Sequence, residues 1–350
     1  MNMAKRVALF VGVNLLIVVT ISLVTSLLGI QPYLSHRGIN FQALAVFCLL
    51  WGFGGAFISL AISKITAKWM MGLTVIDPMT RDPNEHWLID RVHALAKGAK
   101  LPAMPEVAIY ESDEVNAFAT GPTKARSLVA VSTGLLRLMN KEEAEGVLGH
   151  EVAHIANGDM VTMTLVQGVV NAFVMFFARV IAWTVSQFVD ERIRHWVHFG
   201  AVFLFEIVFS LLGMLVVAAF SRAREYRADA GGATLAGRAN MIAGLKKLKR
   251  TIELTDDSQP SLATMKISSG KGGGWMALLS THPDLDERIR RLESIYRETN
   301  TSLQSVRGSH GENILPRLPL VFQSDSAVLS PDRNHSVSRS VCGAVVVGGA

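Results

Sequence analysis

The sequence predicts an α+β domain joined to membrane-spanning helices, with most of the chain helical. Hydrophobic residues make up 50% of the chain and charged residues only 18%, and the mean hydropathy is +0.32, which is too apolar for an ordinary soluble protein of 350 residues. Four apolar segments have the length of membrane helices. Between the second and third segments, the hydrophobic spacing indicates a helix, several short strands and a second helix.

Two of the apolar segments contain no charged residue: Val7 to Ile30 and Phe41 to Ser63. Each is long enough to cross about 30 Å of hydrocarbon. The first segment is too long for the core of a signal peptide and lacks a small-x-small cleavage site. We therefore expect it to remain as an uncleaved anchor.

The other two segments, Val161 to Val189 and Val197 to Phe220, carry one charge each near mid-length. Arg179 lies 14 residues before Ile193, in the polar turn, and Glu206 lies 13 residues after it. A helical hairpin brings the two charges to similar depth, and a charge in the bilayer is costly unless it is paired. We expect an ion pair between them. A hairpin that packs partly against the protein, or that enters the bilayer without spanning it, is the alternative.

The stretch between the membrane pairs predicts a helix over Glu85 to Lys100, followed by strands at Glu106 to Tyr110, Ala117 to Thr120 and Ser127 to Val131. Thr133-Gly134 indicates a turn. A helix follows, because Asn140 with Glu143 three residues later is a capping-box pattern. Gly158 is a plausible end for that helix.

This helix carries the motif His150-Glu151-Val152-Ala153-His154. Residues four apart lie on one face of a helix, so His150 and His154 can bind one Zn²⁺. Glu151 can then face water at the metal as a general base. The spacing thus indicates metal-assisted hydrolysis of peptide bonds.

A catalytic zinc site needs a third protein ligand. The pattern HExxHxxGxxH is excluded, since Asn157 and Met160 stand where its Gly and last His would be. A Glu on a later helix is the alternative, and Glu225 is the best candidate. Asp229, one turn further on, could accept a hydrogen bond from a ligand imidazole.

A shared metal constrains the topology, because His154 precedes the second apolar hairpin and Glu225 follows it. The chain between them must cross the membrane zero or two times. Basic residues concentrate on the side of the motif: Lys5, Arg6, Lys64, Lys68, Arg222, Arg224 and Arg227, against Arg37, Arg192 and Arg194. The positive-inside rule then places the motif in the cytoplasm.

The net charge of +5 and the pI of 9.3 follow from this topology. Interleaved aromatic and basic residues of the kind that bind nucleic acid are absent from the sequence, so we expect no such partner. The two cysteines, Cys48 in an apolar segment and Cys342 near the end, offer no disulfide framework and suit a reducing compartment.

After the fourth apolar segment, Arg224 to Arg250 has helical spacing. Gly270 to Gly274 lacks a phosphate-loop pattern and reads as a flexible lid or linker. A last helix is predicted up to Tyr296, with Thr281 as its cap and Pro283 in its first turn. Residues from Thr301 onward have the composition of a disordered tail.

Several of these motifs together resemble the HtpX family, bacterial membrane-bound zinc metalloproteases of the heat-shock and envelope-stress response that are related to prenyl-protein endopeptidases. The matching elements are Val115-Asn116-Ala117-Phe118-Ala119-Thr120-Gly121, Gly149 to His154 with Gly158-Asp159, Ser221-Arg222 with Glu225 and Ala228-Asp229, and Ser280-Thr281-His282-Pro283 with Arg288. Their order behind two membrane segments makes the resemblance specific. It covers about residues 1 to 300, and the tail has no matching motif.

The resemblance implies a gluzincin-like metalloprotease fold with one Zn²⁺ per chain. His150, His154 and Glu225 would bind the zinc. Glu151 would act as the catalytic base. Asn116-Ala117-Phe118 would be an edge strand on which a substrate peptide lies extended, by β-augmentation.

A second group is needed to stabilise the oxyanion of the transition state, and His282 or Tyr226 could provide it. The expected substrates are misfolded or damaged membrane and cytosolic polypeptides, and other membrane quality-control proteases are expected partners. The expected location is the bacterial inner membrane, as a multi-pass protein with a cytoplasmic active site. A processing protease for one lipidated or membrane-anchored substrate and a non-catalytic metal-bearing scaffold are the competing functions.

The sequence thereby divides into five parts. These are an N-terminal membrane hairpin (1–66), a metalloprotease part with the HExxH helix (67–160), a second membrane hairpin (161–220), a metalloprotease part with the third ligand (221–300) and the tail (301–350).

Overall fold

A computed structural model describes residues 38–258 and 280–294, together with residues 19, 23, 26, 34 and 35. All of them lie within Met1–Asn300, one of two units into which the chain divides. The helices are α1 (Phe41–Met71), α2 (Pro83–Gly98), α3 (Thr133–Leu138), α4 (Lys141–Asn157), α5 (Asp159–Ser186), α6 (Glu191–Leu235), α7 (Arg238–Ser258) and α8 (285–294). Lys124–Arg126 form a short 3-10 helix.

The strands form two sheets. β1 (Leu34–Ser35) and β2 (Gly38–Ile39) pair as a short hairpin, and β3 (Thr74–Val75), β4 (Glu106–Tyr110), β5 (Ala117–Thr120) and β6 (Leu128–Ser132) form a sheet in the order β3-β4-β6-β5. β4 and β6 are parallel, and the two outer strands are antiparallel to their neighbours. β5 is therefore an edge strand of this sheet.

The helix α4 packs on one face of the four-stranded sheet. Alternate residues of a strand face opposite sides, so Val129 and Val131 of β6 face α4 and share a buried cluster with Leu148 and Val152. The predicted capping box is confirmed, because Asn140 accepts from the Glu143 amide while the Glu143 side chain accepts from the Asn140 amide. Gly158 ends α4 in the left-handed conformation, as predicted.

Three described helices, α1, α5 and α6, are long and apolar enough to cross a membrane. Large apolar side chains on α6, such as Phe199, Phe203 and Leu211, are more than half exposed, as lipid-facing residues would be. Of the four predicted spans, the first, Val7 to Ile30, lies outside the described residues apart from three isolated positions. The Gly270 to Gly274 run and the tail also lie outside them.

The predicted intramembrane ion pair is confirmed. Arg179 on α5 donates to the Glu206 carboxylate on α6, with Nη1 and Oε1 2.7 Å apart. The same Nη1 also donates to the Met175 carbonyl at 3.1 Å. The pair fixes the relative depth of the two helices of the hairpin.

The helix α6 does not end at the membrane boundary. It continues without interruption from Glu191 to Leu235, a length of about 68 Å, so the predicted helix over Arg224 to Arg250 is in fact the end of α6 followed by α7. The break falls at Ala236 and at Gly237, whose φ is +87°. One rigid element thus joins the bilayer to Glu225.

Three further sequence predictions require correction. Thr133 and Gly134 begin a short helix rather than a turn, because the Ser132 hydroxyl caps the Leu135 amide. Strand β6 is shifted by one residue at both ends, to Leu128–Ser132. The strand β3 was missed, since two exposed residues leave no hydrophobic alternation. Asp284, not Thr281, caps α8 by accepting from the amides of residues 286 and 287.

Candidate active site

Two helices form the candidate site: α4, which precedes the apolar hairpin in sequence, and the last part of α6, which follows it. His150 and His154 lie one turn apart on α4, and their Nε2 atoms are 3.1 Å apart. Glu225 reaches them from α6, with carboxylate oxygens 3.4 Å from each Nε2. Ligand atoms of all three side chains lie within 4.8 Å of one another.

Small residues allow the two helices to approach this closely. A Cβ at Gly232 of α6 would lie 2.9 Å from the His150 amide nitrogen, and a Cβ at Gly149 of α4 would lie 2.7 Å from the side chain of Ala236. Real Cβ atoms do not approach backbone atoms so closely, so larger residues would force α4 and α6 apart. The glycines therefore set the distance between Glu225 and the histidines.

Asp159 orients the ring of His154. Its Oδ2 lies 2.6 Å from Nδ1, and because a carboxylate can only accept, Nδ1 carries the hydrogen. Burial by itself would lower the pKa of His154, but the hydrogen bonds to Asp159 and Glu225 raise the pKa to about 9. Nε2 is left to face Glu225.

Asp229 orients His150 in the same way, at 3.0 Å between Oδ1 and Nδ1. The predicted contact between Asp229 and an imidazole of the motif is therefore present. Burial opposes a charge on His150, yet the hydrogen bonds to Asp229 and Glu225 raise its pKa above the usual value. Asp229 in turn accepts two hydrogen bonds from Arg288, from Nε to Oδ2 at 2.8 Å and from Nη2 to Oδ1 at 2.6 Å.

Glu225 is held as a carboxylate. It is 1% exposed, and burial alone would raise its pKa, but hydrogen bonds from the two motif histidines and from His282 hold the pKa far below the usual range. Arg288 Nη1 adds a further positive charge 3.6 Å from Oε2. A buried carboxylate with this many donors stays ionised near neutral pH.

The donor set fits a divalent metal ion. With each Nδ1 donating to a carboxylate, rings that have given up the Nε2 proton would direct both Nε2 lone pairs toward each other and toward a negative Glu225. Such a cluster of lone pairs is favourable around a cation and unfavourable without one. Two imidazoles and one carboxylate are also a ligand set that zinc uses in hydrolytic enzymes.

A cavity of about 660 Å³ opens beside these residues. Glu151, which is half-buried, lines it together with His150 and Glu225. His282 also lines the cavity, with Nδ1 3.1 Å from the Glu225 carboxylate. A polar group on the motif helix and a second one from residues 280–284 thus line the same space.

Tyr226, the other predicted oxyanion partner, lies elsewhere. The guanidinium of Arg291 stacks over its ring at 3.7 Å, and Tyr226 is not part of the cavity wall. The geometry therefore favours His282 over Tyr226.

The predicted substrate strand borders the cavity in part. Asn116 and Ala117 line it, whereas Phe118 points to the other face of the sheet, 5.8 Å from the Tyr110 ring. The Ser132 amide donates to the Asn116 carbonyl. Since bonded and non-bonded residues alternate in an antiparallel pair, Ala117 and Ala119 direct their backbone groups toward the open edge.

Sequence reasoning missed the roles of Asp159 and Arg288. Asp159 follows the helix stop and is the first residue of α5, where a carboxylate is common for reasons of helix dipole alone. Arg288 lies 59 residues beyond its partner Asp229, among other arginines. The only available signal was the presence of both residues within the matched motifs.

Two imidazoles and a carboxylate that converge beside a cavity are the arrangement of a metallopeptidase, and three described helices have the length and composition of membrane spans. Residues 82–296 match Peptidase family M48, which is more than half of the chain. The chain therefore belongs to peptidase family M48 and is an HtpX-like membrane protease.

Curated relatives agree over most of the chain. A Protease HtpX homolog of Bacillus subtilis (strain 168) is 54% identical over 300 residues, which cover 83% of this chain and 100% of the relative. Another of Methylacidiphilum infernorum (isolate V4) is 49% identical over 301 residues, covering 84% and 99%. The crystal structure of S. mikatae Ste24p shares the fold, with a TM-score of 0.55, 17% identity and coverage of 83% of this chain and 64% of that one.

Proposed function

We propose that this protein is an integral-membrane zinc endopeptidase that hydrolyses peptide bonds of misfolded or damaged membrane and cytosolic proteins. The observation that carries the proposal is the convergence of His150, His154 and Glu225 on one point beside a cavity that Glu151 lines. We assign these three side chains as ligands of one Zn²⁺.

The bound zinc would supply a Lewis acid that lowers the pKa of water and polarises a carbonyl. Glu151 takes the proton of the attacking water and delivers it to the leaving amine. His282, which lines the same cavity, donates a hydrogen bond to the oxyanion that develops on the scissile carbonyl. Asp229 and Asp159 keep the two rings in the tautomer that leaves Nε2 free.

Substrate would bind as an added strand. The open edge of β5 offers the backbone groups of Ala117 and Ala119, while Asn116 lies at the cavity wall. A peptide paired there is held by its backbone more than by its side chains. This mode suits substrates that share little sequence but are locally unfolded.

The proposed topology has four spans, with the active site on the cytoplasmic side of the bacterial inner membrane. The flanking cations of the sequence support that orientation. Lys64 and Lys68, at the end of α1, each pair with Glu106 of β4 at 2.6 Å, which ties the sheet to that membrane boundary. The division into two membrane hairpins and two halves of a protease part belongs to the same proposal.

Casein digestion in detergent after zinc reconstitution tests the catalytic assignment. We expect Glu151→Gln to keep zinc and to lose cleavage by a factor of about 10² to 10⁴, the usual contribution of a general base. Glu225→Ala should lose most of the zinc and the cleavage together, because it removes a ligand. Glu142→Gln, an exposed first-turn carboxylate of the same helix, is the matched control.

Wild-type turnover by Glu151→Gln would refute the base assignment. A zinc-loaded wild type that cleaves neither casein nor an unfolded membrane protein would instead support a non-catalytic scaffold or a protease dedicated to one substrate.

A further inference from the structure

We propose that Arg222 is a positioning residue that holds residues 280–288 against α6 and thereby sets the place of His282 in the cavity. Its Nη1 donates to the Ser280 carbonyl at 2.9 Å. The Ser280 hydroxyl in turn donates to the His282 carbonyl at 2.7 Å. The inference rests on the role proposed above for His282.

Three contacts of this segment fall on one face of α6. Arg222, Glu225 and Asp229 are spaced by three and four residues, so they share that face. In order, they contact the Ser280 carbonyl, the His282 imidazole and the Arg288 guanidinium. The helix α6, which supplies the proposed ligand Glu225, therefore also holds the cavity-lining residues Ser280, His282 and Arg288 in place.

Residues 280–284 need such an anchor, because they are neither helix nor strand. At the far end, Asp284 caps α8 and Arg288 grips Asp229. The side chain of His282 is 66% exposed, so packing does little to fix it. The imidazole is then placed by its contact with Glu225 together with the backbone contact of Arg222 at the near end.

Arg222 is also the contact of this segment that can be changed without removing a group that touches Glu225 or Asp229 directly through Arg288. Arg288 touches Glu225 and Asp229, so its removal would disturb the proposed metal ligands directly. Arg222 binds a backbone carbonyl two residues before His282 and is half-buried. Its loss should move the imidazole without removing the metal.

The experiment compares Arg222→Gln, Arg222→Lys, His282→Ala and the double variant Arg222→Gln/His282→Ala in the full-length protein. Arg194→Gln, at the other end of the apolar part of α6 and paired with Glu191, is the matched control. Zinc content, kcat and KM on one unfolded peptide, and hydrogen exchange of the metal-free protein are measured for each variant.

We expect Arg222→Gln to bind zinc like the wild type and to lose kcat by up to about 100-fold with little change in KM, as for a reacting group displaced by about 1 Å. Exchange of the amides in 280–288 should become faster, because a local contact is lost. Arg222→Lys keeps a charged donor and should recover part of kcat. The double variant should be no worse than His282→Ala, because Arg222 acts through His282.

Unchanged exchange in 280–288, or losses of kcat that multiply in the double variant, would overturn the proposal. Wild-type turnover by His282→Ala would overturn it as well, yet it would leave the peptidase assignment intact, since that assignment depends on Glu151.

Discussion

The acid–base state of His154 links its hydrogen bonds to metal affinity. Its pKa of about 9 means that the metal-free ring is protonated at neutral pH, with Nδ1 bound to Asp159 and Nε2 directed at Glu225. A metal needs the lone pair of Nε2, so zinc must displace a proton. The geometry that orients the ring thus also makes the proton a competitor of the metal.

We predict that zinc affinity rises with pH up to about 9 and then levels off. Each displaced proton contributes up to about tenfold per pH unit. Calorimetric titration of the metal-free protein in buffers of different ionisation enthalpy would count the protons released. An affinity that is constant between pH 7 and 9 would contradict the pKa assigned to His154.

The stability of the metal-free protein should move in the opposite direction. Because the folded pKa of His154 lies above the unfolded value near 6.5, its contribution is fully present below about pH 6.5 and is lost as pH rises through about 9. The Asp159→Asn variant lacks one of the charges that raise this pKa, so its stability should depend less on pH over the same range.

The hairpin of α5 and α6 owes its register to one half-buried ion pair and to close backbone packing. Arg179 and Glu206 meet at 2.7 Å although each interrupts an apolar segment. A Cβ at Gly213 of α6 would lie 2.6 Å from Val170 of α5, so the helices also touch through a small residue. Either charge alone would be unfavourable at membrane depth.

We predict that Arg179→Leu is less stable than the double variant Arg179→Leu/Glu206→Leu. The single change strands a carboxylate in the membrane and should cost about 3 kcal/mol, whereas removing both charges replaces the pair by apolar contacts. Thermal denaturation in detergent measures the order of the midpoints. Equal midpoints for the two variants would mean that the ion pair between Arg179 and Glu206 does not stabilise the hairpin.

The arrangement of the whole chain follows from the shared site. α4 precedes the α5–α6 hairpin and the end of α6 follows it, yet His150 and Glu225 meet at 3.4 Å. The two helices must therefore lie on the same side of any bilayer that the hairpin enters. Two crossings, or none, satisfy this condition.

We predict that cysteines placed at Glu142 and at Arg250 react with a membrane-impermeant maleimide from the cytoplasmic side. A cysteine at Arg192, in the turn of the hairpin, should react from the opposite side. The measurement uses intact cells and inverted vesicles, with Cys48 and Cys342 replaced. Labelling of position 192 from the cytoplasm would show that the hairpin does not span.

Local patterns predicted much of this molecule. The capping box of α4, its end at Gly158 and the pairing of Arg179 with Glu206 were all readable, because each depends on a spacing within one helix or one hairpin. The grouping of Glu225 with the two histidines was also anticipated, since few carboxylates lie on a later helix in the right setting.

The remaining features depend on residues that are distant in sequence. Nothing local shows that Arg288 grips Asp229 across 59 positions, or that α6 continues unbroken past Phe220 into the site. Only the folded structure brings Ser280 to α6. The Arg222 guanidinium donates to the Ser280 carbonyl, and no sequence pattern links two residues that are 58 positions apart. Periodicity records which face a helix buries, whereas the partner on that face is chosen by packing in three dimensions.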